Sequence, residues 1–133
     1  MTSEPLAVAA VLARDDGRYL LVRRAAGRPA AGYWTPVTGR PEPGETLEEA
    51  LAREVLEEVG LTVQVGAEIY RCPTEGAPYL LVWFSARAAP RPDASVRLDP
   101  REVAEARWLL PREALELEPM FEATRVFFRG LAG

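Results

Sequence analysis

The residues of this chain best suited to chemistry are three glutamates that lie close together, Glu54, Glu57 and Glu58. On a helix, with about 100° of rotation per residue, Glu57 lies about 60° to one side of Glu54 and Glu58 about 40° to the other. Three carboxylates that converge within about one turn repel one another unless a positive charge lies among them. A hard cation such as Mg²⁺, which binds carboxylate, water and phosphate oxygens, is the natural partner. The alternative is a charged helix face that is simply solvated.

A helix is predicted to hold these glutamates. Thr46, followed three residues later by Glu49, forms a capping-box pattern at which the helix begins, and Gly60 is a typical C-terminal stop. Apolar residues at three- and four-residue spacing would pack the helix on a core: Leu47, Ala50, Leu51, Val55 and Val59. The preceding residues 39–44 are rich in Gly and Pro, so they are predicted to form a loop.

The residue types that are missing narrow the chemistry further. The sequence has no histidine and no lysine, and Cys72 is its single cysteine. Without histidine there is no Ser-His, Cys-His or His-ligated metal mechanism, and without lysine there is no Schiff base or P-loop. Cys72 cannot form an internal disulfide, agrees with a reducing compartment, and is most often a small buried residue. Carboxylates, arginines and a metal remain.

The composition predicts one soluble domain over residues 1–133. The chain is 48% hydrophobic and 27% charged, which is typical of a globular protein. A net charge of −4 and a pI near 5.0 argue against nucleic acid and an anionic membrane surface as partners. No apolar run has the length of a membrane span, and the first apolar run lacks the basic start of a leader peptide. We therefore expect a cytoplasmic protein.

The other segments are mainly predicted strands. Apolar runs bounded by turn residues predict extended segments at residues 6–13, 18–24, 33–38, 61–65, 67–72, 79–87 and 105–110. Residues 15–17 supply a hairpin turn between the first two, and the long apolar segment 79–87 is expected at the centre of a sheet. Loops or turns are predicted at residues 25–32, 73–78 and 88–100.

Two helical segments are predicted near the end of the chain. Residues 111–114 form a short helical turn, and residues 119–131 form an amphipathic helix. The second helix is expected to bury four apolar residues: Met120, Val126, Phe127 and Leu131. Strands before a helix, further strands and a terminal helix predict α/β layers on a mixed sheet.

The stretch from Gly39 to Leu61 resembles the signature of the Nudix hydrolases at every defining position. That signature is a glycine, five residues, a glutamate, seven residues, Arg-Glu-aliphatic, one residue, Glu-Glu, one residue and Gly-aliphatic. The matching residues are Gly39, Glu45, Arg53-Glu54-Val55, Glu57-Glu58 and Gly60-Leu61. Nine fixed or class-restricted positions over 23 residues, without a gap, make this motif specific.

The resemblance implies a fold, a reaction and a partner. The fold would be an α/β/α sandwich with a central mixed sheet. The reaction would be hydrolysis of a phosphoanhydride bond in a nucleoside diphosphate linked to another group, with Mg²⁺ (or Mn²⁺) as cofactor. The partner would be a small nucleotide-like molecule, with no nucleic acid and no membrane involved. Either a monomer or a homodimer is compatible with the sequence.

The resemblance also implies roles for single residues. Glu57 and Glu58 would bind the metal, with Glu54 as a third ligand or as the general base. Arg53 would orient these carboxylates from the adjacent helix face, or form an ordinary helix salt bridge. Glu45 would link the loop to the helix by hydrogen bonds beside the metal. Gly39, placed on the substrate-binding side, and Gly44 would supply loop conformations with positive φ.

One departure from the family pattern points to a subgroup. Many members carry two glycines where this chain has Thr38-Gly39, and Thr38 would still give its backbone carbonyl to the metal. The run Trp34-Thr35-Pro36-Val37-Thr38-Gly39, followed by Glu42, Gly44, Glu45 and Thr46, resembles the dihydroneopterin triphosphate pyrophosphatases. Those enzymes act on a pterin triphosphate and on nucleoside triphosphates. The alternatives are an ADP-sugar or dinucleoside polyphosphate hydrolase, and a non-catalytic nucleotide-binding domain, which loss of the signature carboxylates would mark.

Four residues outside the signature are further candidates. Glu102 is expected to add a metal ligand or base from the loop before a late strand, against the alternative of a solvated loop acid. Arg23, with Arg24 beside it at the end of the second strand, could bind phosphates. Trp34 could stack on a base or pterin, or pack beneath the signature loop.

Overall fold

The computed structural model describes residues 5–74, 77–89 and 96–133, and in this part of the chain seven strands form one mixed sheet. The strands are β1 (Leu6–Ala13), β2 (Tyr19–Arg24), β3 (Trp34–Thr35), β4 (Val37–Gly39), β5 (Val63–Pro73), β6 (Leu80–Ala88) and β7 (Val103–Leu109). The helices are α1 (Leu47–Val59), α2 (Pro111–Ala114) and α3 (Glu122–Ala132).

Strand β1 lies at the centre of the sheet. It pairs in parallel with β6 along its whole length, from Leu6 opposite Leu80 to Ala13 opposite Arg87. Its other edge pairs antiparallel with β4, and β2 pairs antiparallel with β7. Because β1 is covered on both faces, its sequence is a continuous apolar run rather than an alternating one. The predicted mixed sheet is confirmed.

The two faces of β1 carry different helices, so the fold is the predicted α/β/α sandwich. Val8, Ala10 and Leu12 point to one face and pack with the buried stripe of α1. Ala9 and Val11 point to the other face, where Trp83 of β6 packs against α3 through Phe127. Each face therefore has its own apolar core, with the sheet between them.

Strand β5 differs from its prediction. Two short strands around Gly66 were expected, whereas Val63–Pro73 is one strand whose register with β6 shifts between Val65 and Glu68. A Cβ added to Gly66 would lie 2.3 Å from Oγ of Ser85, so the irregular pairing needs a residue without a side chain here. The loop predicted at 88–100 and the turn predicted at 73–78 lie partly outside the described residues.

Helix α3 begins at Glu122, three residues later than predicted, and buries a different face. Val126 and Leu131 are 48% and 40% exposed, so their predicted burial is wrong. The buried face is instead set by Thr124 and Phe128, which lie four residues apart on one side of the helix. Met120, before the helix, is buried as predicted. No helix in the described part of the chain is both long and apolar enough to cross a membrane.

Candidate active site

Helix α1 is held at both ends by the predicted caps. Oγ1 of Thr46 accepts a hydrogen bond from the backbone N–H of Glu49 at 3.1 Å, and the N–H of Thr46 donates to Oε1 of Glu49 at 2.8 Å. Gly60 follows in a left-handed conformation with φ of 73°, and its N–H donates to the carbonyl of Leu56. These contacts fix where the helix begins and ends, and so fix the direction of its glutamates.

Arg53 is the centre of the polar network on α1. Its Nε and Nη2 donate to the two carboxylate oxygens of Glu45 at 2.7 and 2.9 Å, a bidentate pair. Its Nη1 donates to Glu54 at 2.7 Å and to Glu57 at 3.3 Å, and its Nη2 also donates to the carbonyl of Arg40 at 3.0 Å. The guanidinium lowers the pKa of Glu45 to about 2. In turn, Glu45 and then Glu54 raise the pKa of Arg53, so Glu45 and Arg53 form a charged pair at neutral pH.

Glu58 lies in the opposite environment. Its side chain is buried, at 6% exposure, and its Oε2 has no hydrogen-bond partner. Burial, followed by the nearby Glu54 and Glu102 carboxylates, raises its pKa to about 9, against a smaller lowering effect of Arg28. The surroundings of Glu58 therefore favour its neutral acid form, one helical turn from Glu54, which accepts a hydrogen bond from Arg53.

Gly39 is required because Glu54 occupies the space of a side chain. A Cβ added to Gly39 would lie 2.2 Å from Cγ and 2.3 Å from Cδ of Glu54. Its backbone is not in the positive-φ region, so the predicted reason for this glycine is wrong. The prediction holds for Gly44, whose φ is +84° and whose Cβ would meet nothing within 4 Å. One glycine therefore makes room for a carboxylate, and the other permits a turn.

A cavity of about 790 Å³ opens beside these residues, within the size range of small-molecule sites. Its lining brings together acidic and basic side chains: Glu42, Glu54, Glu57 and Glu102, with Arg24, Arg28, Arg40 and Arg53. Thr38 and Gly39 of β4 form part of the same wall. The predicted residues Glu54, Glu57, Glu102, Thr38, Gly39 and Arg53 thus meet at one cavity, and their catalytic roles remain predictions.

The neighbouring arginines of β2 are separated by the alternation of the strand. Arg24 lines the cavity, where its Nε donates to the carbonyl of Pro29 at 2.6 Å. Burial, followed by the charge of Arg28, lowers the pKa of Arg24. Arg23 lies outside the cavity lining and faces Glu105 at 3.5 Å. Because side chains alternate between the two faces of a strand, the sequence indicates that only one of these arginines can face the cavity. It does not indicate which one.

Trp34 packs in the core rather than in the cavity. It is 4% exposed and belongs to one apolar cluster with Leu21, Met120 and Phe128, and the guanidinium of Arg107 lies 4.9 Å from its ring centre. Of the two roles considered for Trp34, packing is therefore the one that its position supports. The cavity lining also contains residues that the sequence did not indicate, namely Arg28, Arg40, Tyr79 and Phe121.

The donor atoms on α1 suit a hard divalent cation. Glu54, Glu57 and Glu58 offer carboxylate oxygens, and Oε2 of Glu58 is buried without a partner. Among residues 5–74, 77–89 and 96–133, no three acidic or cysteine side chains are gathered closely enough to hold a metal. Two of the three glutamates are in ion pairs with Arg53 instead. The residues therefore fit such a metal by their chemistry, provided that it displaces Arg53 and the proton of Glu58.

Known proteins of similar sequence indicate the family of this chain. The NUDIX domain family matches residues 3–131. The chain is 34% identical over 109 residues to the CTP pyrophosphohydrolase of Escherichia coli strain K12, covering 82% of this chain and 78% of that protein. It is 36% identical over 110 residues to the NAD-capped RNA hydrolase NudC of Deinococcus radiodurans, covering 83% of this chain and 38% of that protein.

A solved structure also has a similar fold. A solved structure, the MutT protein of Methanosarcina mazei Go1, matches with a TM-score of 0.80 and 28% identity, covering 99% of this chain and 96% of that one. The family match spans nearly the whole chain and includes the helix that carries Glu54, Glu57 and Glu58. The chain therefore belongs to the Nudix family of diphosphohydrolases.

Proposed function

We propose that this protein is a metal-dependent pyrophosphohydrolase of nucleoside or pterin triphosphates. The observation that carries the proposal is the cavity that combines the glutamates of α1 with four arginines. A triphosphate brings several negative charges, which arginines and a divalent cation can neutralise together. A cavity of both signs is suited to such a complex, whereas four glutamates alone would repel it.

The signature glutamates would hold the metal. We assign Glu57 and Glu58 as ligands, Glu54 as a third ligand or as the general base, and the carbonyl of Thr38 as a further donor. Members of the family generally need a divalent metal, and Mg²⁺ or Mn²⁺ suits these oxygen donors. When bound, the metal would neutralise phosphate charge and help to activate the attacking water.

Other residues would position the substrate and the carboxylates. Arg24 and Arg28 lie on the cavity wall, where they can bind phosphate oxygens. Before a metal binds, Arg53 donates hydrogen bonds to Glu54 and Glu57, and Glu54 lies beside Gly39. Glu102, which is in an ion pair with Arg28, can hold that arginine or join the metal site. Attack of water within the triphosphate would give a monophosphate and pyrophosphate.

A triphosphate is favoured over a two-nucleoside substrate by two observations. The CTP pyrophosphohydrolase of Escherichia coli is matched over 78% of its length, whereas NudC is matched over 38%. The residues from Trp34 to Thr46 also resemble the pterin triphosphate subgroup. An ADP-sugar or dinucleoside polyphosphate would need room for a second sugar or nucleoside beyond the phosphates.

A substrate panel tests the proposal. CTP, dATP, dihydroneopterin triphosphate and ADP-ribose at equal concentration, with Mg²⁺ or Mn²⁺, would be assayed for phosphate and pyrophosphate release. We expect pyrophosphate from a triphosphate and loss of turnover with a chelator. Faster cleavage of ADP-ribose would reject the triphosphate assignment, and turnover that is insensitive to chelator would reject the metal.

A further inference from the structure

The lining of the cavity also includes aromatic side chains. Tyr79, the residue before β6, and Trp83, within β6, line the cavity together with Phe121, which precedes α3. A flat heterocyclic ring is the group that such walls suit, because stacking on aromatic rings is largely independent of the identity of the base. A base can stack only on a ring that is not already packed against another aromatic ring.

Two of the rings are already packed against other rings. Trp83 is fully buried, with the rings of Phe127 and Tyr70 at 5.1 and 5.8 Å between centroids. Phe121 stacks with Tyr33 at 4.6 Å. Tyr79 has no aromatic neighbour among the described residues, and it is only partly buried. Tyr79 is therefore the cavity ring that can accept a stacked ligand.

The backbone of Tyr79 is held rigidly by the hairpin between β5 and β6. Its carbonyl accepts hydrogen bonds from the backbone N–H and the hydroxyl of Thr74 at 2.9 and 3.0 Å. Its own N–H donates to the Thr74 hydroxyl at 3.3 Å. A ring on a fixed backbone loses little freedom when a ligand stacks on it, which favours binding.

One face of Tyr79 is covered by Arg40. The carbon at the centre of the Arg40 guanidinium lies 4.7 Å from the ring centroid, in a cation–π contact. Each of the other arginines of the cavity has a hydrogen bond or ion pair: Arg24 with Pro29, Arg28 with Glu102, and Arg53 with Glu45. Within the described residues Arg40 has no carboxylate partner, so its charge is available to an anion.

We propose that the face of Tyr79 is the stacking surface for the heterocyclic base of the substrate, and that Arg40 leaves this face on binding and pairs with the α-phosphate. This inference rests on the proposed function for the identity of the ligand as a nucleotide or pterin. A stacked base needs about 3.5 Å from the ring, which is the space that the guanidinium fills. Base and guanidinium therefore exclude each other on the covered face. The carbonyl of Arg40 accepts a hydrogen bond from Arg53 of α1, which fixes the backbone of Arg40. The side chain of Arg40 would therefore remain beside the phosphates.

The experiment is a calorimetric titration with CMP and with ribose 5-phosphate, which share the α-phosphate but differ in the base. Neither probe has a phosphoanhydride bond, so the result does not depend on hydrolysis. We expect Tyr79→Leu to raise the Kd for CMP about fivefold to 100-fold and to leave ribose 5-phosphate within twofold. Tyr79→Phe, which keeps the ring, should restore most of the lost affinity.

The role of Arg40 is tested in the same titrations. Arg40→Gln should weaken ribose 5-phosphate about tenfold or more, because it removes a charged hydrogen-bond donor from the phosphate. Arg14→Gln is the matched control, since Arg14 makes a similar contact of 4.8 Å with Trp108 and lies outside the cavity lining. It should leave both probes unchanged.

Three results would overturn the inference. Equal affinity of the unmutated protein for CMP and ribose 5-phosphate would show that no base contact exists. An equal loss for both probes in Tyr79→Leu would assign the residue to the fold, and unchanged ribose 5-phosphate binding in Arg40→Gln would remove its phosphate role. If the substrate panel shows no hydrolysis, the proposed reaction fails while these titrations still decide the stacking site.

Discussion

Two carboxyl groups one helical turn apart on α1, Glu54 and Glu58, lie in opposite surroundings. Glu54 lines the cavity and accepts a hydrogen bond from Arg53 at 2.7 Å. Glu58 is buried, and one of its oxygens has no partner. Glu54 is in an ion pair with Arg53, whereas burial raises the pKa of Glu58 to about 9. One helix thus holds one carboxyl group paired with an arginine and another in a buried position that favours the neutral acid.

Replacing Glu58 should have the largest effect on activity. Glu58→Gln keeps the size of the side chain but removes a proposed charged metal ligand. Loss of a residue that only orients a metal ligand typically lowers activity about tenfold to 100-fold. We therefore expect kcat/KM to fall by more than about 100-fold. The melting temperature of the chelator-treated protein should stay the same or rise, because the native carboxyl is already neutral. Glu48→Gln, at an exposed position in the first turn of α1, is the control. Near-normal turnover of Glu58→Gln would remove Glu58 from the metal site.

The two loop glycines separate the position of Glu54 from the shape of the loop. Gly39→Ala would place a Cβ about where Glu54 now lies, so it should move this carboxylate and lower kcat/KM about tenfold to 100-fold. Gly44→Ala meets no neighbour but forces a side chain into positive φ, which costs about 1–2 kcal/mol of stability. We expect the first variant to lose more activity and the second more stability, as measured by kinetics and urea unfolding. The reverse order would show that Glu54 tolerates displacement.

The distance along the chain between interacting residues explains what could be predicted from the sequence. The limits of α1 follow from Thr46, Glu49 and Gly60, which act within a few residues of one another. The reason for Gly39 was missed because its neighbour Glu54 is 15 positions away and meets it only in the fold. Arg40 and Tyr79 were missed for the same cause, since nothing in the sequence brings a loop and a distant hairpin together.

The packing of α3 shows the same limit in the core. The buried face of this helix depends on where the helix begins and on which neighbour it meets. Phe128 meets Tyr19 of β2 edge-on at 5.9 Å, and this contact turns Val126 toward solvent. The fold class, by contrast, depends only on the order of strands and helices, which local patterns supply.

The proton on Glu58 should appear in the pH dependence of stability. Its pKa rises from 4.5 to about 9 on folding, so the folded state holds a proton that the unfolded state releases between these values. The stability of the chelator-treated protein should therefore fall as pH rises from about 4.5 to about 9. Urea unfolding across this range, compared with Glu58→Gln, isolates the contribution. Identical slopes for the two proteins would show that Glu58 is ionised when folded.

The smallest effect is expected from the adjacent arginines of β2, which lie in different surroundings, as Glu54 and Glu58 do. Arg23 faces Glu105 at the surface, outside the cavity lining, whereas Arg24 lies in the cavity and donates to the carbonyl of Pro29. Arg24→Gln should raise KM for the best triphosphate severalfold to tenfold, because a charged donor to phosphate is worth more than the neutral amide that replaces it. Arg23→Gln removes only an exposed ion pair, whose contribution is commonly below about 1 kcal/mol, and should leave KM within twofold. Steady-state kinetics of both variants, with melting temperatures as the check on folding, give the comparison. A larger rise in KM for Arg23→Gln would contradict this expectation. It would mean that the phosphates bind on the face of β2 where Arg23 contacts Glu105, outside the cavity.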